Sequence, residues 1–375
     1  MIDYLGFFGE PTGYGEAARR HASALLEVGQ PLRPRALRQV RRGRYRSDRV
    51  APWWHLEQAY RQGGRPRVAR RIVHTPPPHF PHLAHGRAMN IGMTAWETPH
   101  LPRGWADALE HVDEIWVPSH FCRQAFQAAT RLPVVVMPHP VAVPPAVSTR
   151  GFPGIPDDLL LFGSVLQWSD RKNPDGLVRS FVRAFRGRRD VALALKLGFR
   201  LGAARADVEG KLAALTRGFG PCRAPTVFLI GDELDDTLMA RFYDRVDVYV
   251  SLHRAEGFGL CLAQAMARGK PVVATGYSGN LEFMSDDNAV LIRYRRVDVQ
   301  QPLTPSWFES TMQWAQPDED HAIEAMRWCA NHPGSCARMG ERARLSLVPF
   351  RPDAIGERMR RRLGADAASC RPRAR

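Results

Sequence analysis

The segment Val248–Met284, VYVSLHRAEGFGLCLAQAMARGKPVVATGYSGNLEFM, has the pattern of a strand, a loop, a helix, a second strand and a second loop. Val248–Leu252 is a short apolar, β-branched run, which is typical of a buried parallel strand. Leu260–Ala267 has apolar residues at helical spacing, and a Gly269 C-cap and the breaker Pro271 follow it. Loops that end neighbouring parallel strands and open helices present backbone N–H groups to anions. The segment therefore predicts an anion-binding site in an α/β domain.

Two polar residues, Glu256 and Gln264, lie at either end of this loop and helix. Two turns of α-helix take about 7.2 residues, so the loop acid and the helix amide can face the same ligand-sized space.

The stretch SLHRAEGFGLCLAQAMARGKPVVATGYSGN resembles the signature of the retaining, nucleotide-sugar-dependent glycosyltransferases of family 4. The resemblance covers nearly the whole chain and is strongest over 159–294. It implies the GT-B fold, two Rossmann-like doubly wound α/β domains that face each other across a cleft. That family has a pair of glutamates where this chain has Glu256 and Gln264, so only the first acid is kept.

Length and composition indicate a globular protein of two to three domains, with 375 residues of which 44% are hydrophobic. No apolar run approaches the roughly 20 residues of a membrane-spanning helix, and the first residues resemble a strand and loop rather than a signal peptide. We therefore expect a cytoplasmic protein. The six cysteines are scattered without C-x-x-C pairs, so neither a disulfide framework nor a zinc site is indicated.

The net charge of +15 has two interpretations that stay open. A basic surface would attract anionic lipid headgroups at the inner face of a membrane or a phosphorylated acceptor. Alternatively, base composition explains the charge, because only four basic residues are lysines and the rest are arginines. No nucleic-acid-binding motif is present, so we expect no nucleic-acid partner.

The N-terminus predicts a strand–loop–helix unit, with a strand at Ile2–Phe8, the loop GEPTGYG and a helix at Glu16–Val28. Such a turn often serves close packing alone. The third glycine of a dinucleotide fingerprint is missing, so we do not predict a dinucleotide site. The resemblance implies that this loop lies near the donor phosphates and the acceptor, which makes Gly13, Tyr14 and Gly15 candidate binding residues.

The sequence contains two clusters of residue types that can bind metals, but neither cluster has the pattern of a metal site. HTPPPHFPHLAH contains four histidines, but its prolines force an extended course and the spacing matches no common zinc pattern. GDELDDT contains several acids, which are better explained as favourable charges at the N-terminus of a helix, Asp235–Arg245. The resembling family generally needs no metal, and we expect no cofactor beyond the nucleotide-sugar donor.

A further candidate is Glu97, which follows a predicted strand, Met89–Ala95, in the segment WETP. The resemblance implies an acceptor-side group here, where better-known relatives have a histidine. Glu97 would take that role, with His100 as a weaker substitute. The alternative is that Glu97 only caps a turn.

A linker is predicted at Pro138–Asp158, which holds six prolines and has no regular periodicity. We expect an N-terminal Rossmann-like acceptor-side domain at 1–145 and a C-terminal nucleotide-sugar-binding domain at 146–350. A helix at 351–364 would cross back to the first domain, as the resemblance implies, and 365–375 would form a tail.

Arg171 and Lys172 follow the predicted strand Leu159–Val165, directly ahead of the helix-start signal Asn173-Pro174. A guanidinium beside an ammonium suits a diphosphate. A solvated basic loop is the alternative, although the scarcity of lysines argues against it for Lys172. In the resembling family, an arginine and a lysine at this strand end hold the donor phosphates.

The resemblance implies a metal-independent transfer of sugar from a nucleotide-diphosphate donor to a glycan or glycolipid acceptor, with retention, as in surface polysaccharide biosynthesis. Glu256, Arg171, Lys172 and Glu97 would be catalytic. The donor-binding candidates are Gly257, Phe258, Gly259, Leu260, Gln264, Gly279 and Asn280 together with Gly13, Tyr14 and Gly15. Because Gln264 replaces an acid, the alternative is a catalytically degenerate scaffold that binds a nucleotide or a partner.

Overall fold

The structure is a computed structural model that describes residues 2–41, 44–48, 68–144, 151–198, 205–217, 224–231, 233–300 and 307–365. The strands are β1 Ile2–Gly6, β2 Leu32–Arg41, β3 Arg44–Asp48, β4 Arg70–His74, β5 Met89–Met93, β6 Glu114–Val117, β7 Val134–Val136, β8 Leu160–Leu166, β9 Val191–Leu197, β10 Thr226–Ile230, β11 Val248–Ser251, β12 Val272–Thr275, β13 Val290–Ile292, β14 Tyr294–Asp298 and β15 Gln313–Pro317. The helices are α1 Gly13–Glu27, α2 Phe80–Leu83, α3 Trp105–Leu109, α4 His120–Gln127, α5 Pro174–Ala184, α6 Arg205–Arg217, α7 Asp236–Arg245, α8 Leu260–Ala267, α9 Glu319–Asn331, α10 Pro333–Ser346 and α11 Pro352–Ala365.

The chain divides into two units. Unit 1 comprises Met1–Ala142, Val299–Met312 and Pro349–Arg375, and unit 2 comprises Val143–Asp298 and Gln313–Val348. The excursion of 299–312 into unit 1 has no counterpart in the sequence pattern. β14 and β15 pair as an antiparallel ribbon in unit 2, and the described residues between them, 299–300 and 307–312, belong to unit 1.

Unit 1 has a seven-stranded sheet in the order β3-β2-β1-β4-β5-β6-β7. All neighbours are parallel except β3, which pairs antiparallel with β2 at the edge. Both strands of this edge hairpin come from the arginine-rich stretch that follows α1, where the sequence pattern predicts only a short strand and then irregular chain. Trp53 and Trp54, which follow this stretch in the sequence, lie outside the described residues.

The last helix, α11, belongs to the core of unit 1. Ile355, Met359 and Leu363, spaced four apart on one face of α11, are buried against the sheet-side residues of α1 and β1. Arg362 adds a bidentate pair with Glu114, a carboxylate at the start of β6 that is only 1% exposed. Burial of the apolar face and pairing of this carboxylate together hold the C-terminal helix in unit 1.

Unit 2 has a six-stranded sheet, β10-β9-β8-β11-β12-β13, in which all pairs are parallel. Its central strands are apolar on both faces, and the seven residues of β9 are all buried. Phe162, Phe181 and Phe185 pack together between β8 and α5, with ring centroids 5.1 to 5.7 Å apart. A parallel sheet covered by helices on both faces is the reason for these continuous apolar runs.

Several predicted bounds are wrong. Strand β1 ends at Gly6 rather than Phe8, and β5 ends at Met93 rather than Ala95. Helix α1 begins at Gly13 rather than Glu16, because Thr12 caps it by accepting a hydrogen bond from the Gly15 N–H over 3.2 Å. The single strand predicted at Ala289–Tyr294 is divided into β13 and β14. No helix among the described residues is long and apolar enough to cross a membrane.

Candidate functional site

The strand order of unit 2 locates its candidate site. The chain runs outward from β8 to β10, then returns to β11 on the other side of β8, so the order reverses between β8 and β11. Ligands of open α/β sheets bind at the carboxyl ends of the strands at such a reversal. The loop after β8 carries Arg171 and Lys172, and the loop after β11 carries Glu256.

These three charged side chains meet. Lys172 Nζ donates a hydrogen bond to Glu256 Oε1, and Arg171 Nη1 lies 3.3 Å from Glu256 Oε2. Arg171 Nη1 also donates to the Ala255 carbonyl over 2.9 Å. The Glu256 side chain is 10% exposed and the two cations 17–18%, so the cluster is largely withdrawn from water.

The charge state of Glu256 follows from two opposing effects. Burial raises the pKa of the carboxyl, but the attraction of Lys172, Arg171 and His253 outweighs burial and lowers the pKa to about 2. Glu256 is therefore a carboxylate at neutral pH. The cluster carries one negative and two positive charges, which leaves a net positive charge for an anionic ligand.

The backbone of the β8 loop is fixed by Asn173, the N-cap of α5. Asn173 has left-handed dihedral angles, φ 51° and ψ 50°, and its side chain accepts from the Gly176 N–H and donates to the Leu252 carbonyl. Next to it, the Arg254 N–H donates to the Arg171 carbonyl over 2.7 Å. These bonds tie the two loops together and set the positions of the cations relative to Glu256.

The two glycine-rich loops of the opening segment also interlock. The Glu256 N–H donates to Ser278 Oγ over 2.8 Å, and the Gly279 N–H donates to the Glu256 carbonyl over 2.9 Å. A Cβ on Gly279 would lie 2.1 Å from the Gly257 carbonyl oxygen, so only glycine fits there. Ser278 adopts φ 77°, a conformation that costs a non-glycine residue energy, which the interlock offsets.

Sequence reasoning missed His253, which is fully buried beside this interlock. His253 Nδ1 lies 3.1 Å from Ser251 Oγ, and Nε2 lies 3.1 Å from Asn280 Oδ1. Asn280, a predicted donor-binding residue, also donates through Nδ2 to the Thr275 carbonyl. Its side chain therefore holds the second loop in place. His253 stands in the quoted motif, but no spacing in the sequence indicates its partner.

The remaining candidates of unit 2 surround the start of α8. Gly259 is the N-cap, with φ 90°, and Leu260 is the first helical residue. Phe258 is buried and packs on Phe283 with ring centroids 5.0 Å apart. In the second turn, the Gln264 side-chain oxygen accepts a hydrogen bond from the Tyr243 hydroxyl over 3.0 Å.

The candidates of unit 1 form a separate group. Gly13, Tyr14 and Gly15 are the first turn of α1 rather than a loop before it. The Tyr14 hydroxyl contacts Thr94 Oγ1 at 3.1 Å and donates to the Ala95 carbonyl at 3.0 Å, at the end of β5. A Cβ on Gly15 would lie 2.1 Å from the Glu10 carbonyl oxygen, so this glycine serves close packing.

Glu97 lies in the half-buried turn after β5, near this tyrosine. Burial raises the pKa of the Tyr14 phenol, and the charge of Glu97 raises it further, which places the carboxylate within electrostatic range of the hydroxyl. The turn itself is fixed by neighbours of Glu97, since Trp96 Nε1 donates to Thr98 Oγ1 and to the His100 carbonyl. His100 is exposed.

Three histidines of unit 1 form a further cluster that the sequence did not predict. The His21 ring lies 5.5 Å from that of His74 and 5.2 Å from that of His139, and the Tyr4 hydroxyl contacts His74 Nδ1 at 2.8 Å. Burial lowers the pKa of His21 to about 4 and shifts His74 and His139 in the same direction. Within the described ranges, no three His, Cys, Asp or Glu side chains are placed to hold a metal ion.

The histidine-rich and acidic stretches have structural roles. His79 ends a short 3-10 turn and packs edge-on against Phe7, with centroids 5.4 Å apart. Asp235 is the N-cap of α7 and accepts from the Leu238 N–H over 2.7 Å, as the helix interpretation of GDELDDT predicts. Asp232 lies outside the described residues.

Part of the chain matches a known protein family. Residues 156–300 match the profile of the family described as Glycosyl transferases group 1. That range contains the charged cluster and both interlocking loops of unit 2. No curated protein sequence matches the chain significantly.

Several solved structures have a similar fold at low sequence identity. Sucrose-phosphate synthase from Thermosynechococcus elongatus is 14% identical over 98% of this chain and 99% of its own, with a TM-score of 0.68. Anabaena HepE, solved with UDP-glucose, is 14% identical over 97% of this chain and 99% of its own, with a TM-score of 0.62. A variant of S. aureus TarM, solved with UDP, is 16% identical over 78% of this chain, with a TM-score of 0.56. This chain covers 54% of that protein, about half its length.

The predicted fold class is confirmed by these likenesses. The chain has two parallel-sheet, Rossmann-like α/β domains of the GT-B type.

Proposed function

We propose that this protein is a retaining, metal-independent glycosyltransferase. It would transfer a sugar from a nucleotide-diphosphate donor to a glycan or glycolipid acceptor in surface polysaccharide biosynthesis. The observation that carries the proposal is the cluster of the half-buried Arg171 and Lys172 with the buried Glu256 at the strand-order reversal of unit 2. The match of residues 156–300 to glycosyl transferases group 1 supports it.

Arg171 and Lys172 would stabilise the departing nucleotide diphosphate. As the bond between the anomeric carbon and the phosphate oxygen breaks, negative charge grows on the diphosphate. Preorganised cations in a water-poor site stabilise that charge most effectively. Both cations are already held in position by Glu256, so little reorganisation is needed when phosphate oxygens arrive. The fork of Arg171 would bind two phosphate oxygens at once.

Glu256 would act on the donor sugar. Because its pKa is lowered to about 2, the carboxylate stays ionised throughout the physiological range. It would accept hydrogen bonds from sugar hydroxyls and stabilise the positive charge that develops on the ring. A general acid at this position would need a raised pKa, so the charge state favours electrostatic stabilisation over proton donation.

The backbone of Gly257–Leu260 would contribute N–H groups at the start of α8, where the helix dipole favours an anion. The Gly279 N–H is taken by the Glu256 carbonyl, so Gly279 would serve the site by allowing the two loops to approach closely. Gln264 would contact the ribose hydroxyls of the nucleotide. In unit 1, Glu97 would serve the acceptor, and Gly13 and Tyr14 would contribute backbone of the first helical turn to binding. The Gly15 N–H is taken by Thr12 Oγ1, so Gly15 would serve the site only through close packing.

The second candidate function is a nucleotide-binding scaffold without turnover, and Gln264 favours it. The amide carries no charge, and its oxygen is already engaged by Tyr243. Binding of a nucleotide without transfer to any acceptor or to water would support this alternative.

The decisive experiment combines a donor screen with one variant pair. Calorimetry with UDP- and GDP-sugars identifies the donor, and release of free sugar or transfer to acceptors measures turnover. We expect Glu256→Gln to slow turnover by about 100-fold or more. Asp244→Asn is the matched control, since Asp244 is a carboxylate that pairs with Arg268 and is 11% exposed. Turnover by Glu256→Gln at the parent rate would exclude the assigned site.

We also propose a peripheral contact with anionic membrane, supported by the net charge of +15. Sedimentation with phosphatidylglycerol vesicles at rising salt tests it, because screening weakens attraction between exposed charges. Binding that is absent at low salt, or unchanged by salt, would contradict the contact.

A further inference from the structure

Unit 1 contains an aromatic cluster, defined as Trp96, Trp105, Trp307 and Phe308, that the proposed chemistry does not use. Trp96 lies between two of the others, with its ring centroid 4.7 Å from that of Trp105 and 4.9 Å from that of Phe308. Trp307 packs edge-on against Trp105 at 5.2 Å. The cluster joins the turn that carries Glu97 to the excursion 299–312 of the chain.

Trp307 is the exposed member of this cluster. Trp96 and Trp105 are each 2% exposed, whereas Trp307 is 46% exposed. In the described part of unit 1, no other large hydrophobic side chain is exposed to this extent. The buried Trp105 packs against the Trp307 ring, so the exposed surface of Trp307 costs little conformational entropy when a ligand binds.

A second observation in the cluster indicates a missing polar partner. The Trp105 indole N–H is buried and has no hydrogen-bond partner among the residues that the structure describes. A buried donor of this kind normally finds a partner. A hydroxyl of a ligand bound at Trp307, or a water that such a ligand holds, would supply one.

The surroundings of Trp307 are polar and charged. Glu309 accepts from the Arg103 N–H over 2.9 Å and pairs with the Arg103 guanidinium at 3.6 Å. The Arg103 side chain is 92% exposed, so its remaining donors are available to a ligand. Glu97 follows Trp96 directly, which adds a second carboxylate close to the cluster.

We infer that Trp307 is the stacking platform for a sugar ring of the acceptor glycan, with Arg103 and Glu309 as polar contacts at its edge. The C–H bonds of a pyranose form a flat apolar face that packs on an aromatic ring, while its hydroxyls need donors and acceptors around that ring. A single rigid indole beside a guanidinium and carboxylates meets both needs. Insertion of this region into a membrane surface would instead call for several exposed apolar side chains, and unit 1 presents one among its described residues.

This inference rests on the proposed function, because it assigns the acceptor of that reaction. The test compares Trp307→Ala and Trp307→Phe with Trp328→Ala. Trp328 is the matched control, since it is 39% exposed, lies in unit 2 and stacks on His332. Transfer to an oligosaccharide acceptor and hydrolysis of the donor by water are measured separately for each protein.

We expect Trp307→Ala to raise the acceptor KM by about tenfold while donor hydrolysis stays within about twofold of the parent. Trp307→Phe should restore most of the acceptor affinity, because a smaller aromatic ring still stacks. Trp328→Ala should match the parent in both assays. An unchanged acceptor KM for Trp307→Ala, with an active parent, would overturn the inference and leave the proposed function intact.

A binding experiment tests the inference independently of turnover. The absence of turnover in the parent would count against the proposed function alone. The indole nitrogens of the nine tryptophans are labelled with ¹⁵N, and the Trp307 signal is identified from its loss in Trp307→Phe. Chitotriose, cellotriose and maltotriose serve as probes, with phosphatidylglycerol vesicles in parallel. Movement of the Trp307 and Trp105 signals with an oligosaccharide supports the platform. No movement with any sugar, or movement with vesicles alone, overturns it.

Discussion

At the scale of single residues, Gln264 is the clearest departure from the resembling family. Its side-chain oxygen accepts from the Tyr243 hydroxyl, so the orientation of the amide is set by a buried partner. A carboxylate at this position would keep that hydrogen bond and offer a second, charged oxygen to the ribose.

We expect Gln264→Glu to tighten nucleotide binding by about tenfold, because a charge-assisted hydrogen bond is stronger than a neutral one by roughly 1–2 kcal/mol. Calorimetry with UDP and GDP measures the change. Gln127→Glu, which adds the same charge at an exposed position in α4, controls for the overall charge. Equal affinities of parent and Gln264→Glu would remove Gln264 from the nucleotide site.

His21 makes stability depend on pH. Its imidazole is fully buried, with Nδ1 2.8 Å from the Ala17 carbonyl oxygen and Nε2 3.2 Å from that of Pro138. Burial lowers its pKa from 6.5 to about 4, and His74, His139 and Arg20 lie around it. Between these two pKa values the unfolded chain binds more protons than the folded one, so stability falls as the pH drops below 6.5.

We expect the titration of His21 alone to make the free energy of unfolding about 2 kcal/mol lower at pH 5 than at pH 7.5. Urea unfolding at the two pH values measures it. In His21→Asn this part of the pH dependence should disappear, while the exposed His85→Asn should behave as the parent does. The same pH dependence in His21→Asn and the parent would contradict the assignment.

At the scale of elements, α11 and α1 approach each other closely at one glycine. A Cβ on Gly356 would lie 2.2 Å from the Ala24 carbonyl oxygen in the backbone of α1, whereas a Cβ on Gly364 of the same helix would meet nothing within 4 Å. The two glycines have the same helix propensity, so replacing each with alanine separates packing from propensity.

Gly356→Ala should therefore destabilise unit 1 by about 1–3 kcal/mol through overpacking. Gly364→Ala should be neutral or stabilise it by up to about 1 kcal/mol. Thermal and urea unfolding of both variants provide the measurement. If Gly356→Ala were as stable as Gly364→Ala, the close approach of α11 to α1 would be wrong.

At the scale of the whole molecule, the charged cluster and both interlocking loops belong to unit 2. A ligand that binds only the native form of one unit stabilises that unit by mass action, by about 2.7 kcal/mol at 100 times its Kd. Binding of the nucleotide should therefore stabilise unit 2 and leave the stability of unit 1 nearly unchanged.

We expect saturating nucleotide diphosphate to slow hydrogen exchange in β8, β11 and α8 and to leave β1, β4 and α11 of unit 1 nearly unchanged. Hydrogen exchange followed by mass spectrometry, with and without UDP or GDP, resolves the two units in one experiment. Lys172→Met should lose the protection in unit 2. Protection centred on unit 1 would place the nucleotide elsewhere.

The sequence by itself determined the α/β class and the positions of Arg171, Lys172 and Glu256 at strand ends. Both follow from local patterns, namely apolar β-branched runs, helix caps and glycine-led turns, which depend on side chains within a few residues of each other. The element bounds failed where one capping hydrogen bond decided them, as Thr12 does for α1.

Only the tertiary structure decided how these pieces act together. Lys172 and Glu256 are 84 residues apart in the chain, and the pairing that holds the Glu256 carboxylate ionised depends on the adjacency of β8 and β11. The same holds for His253 and Asn280, for the clearance at Gly279, and for the excursion that brings Trp307 onto Trp105. Contacts between segments distant in sequence leave no local periodicity, because their geometry is fixed by the packing of the sheet and its loops.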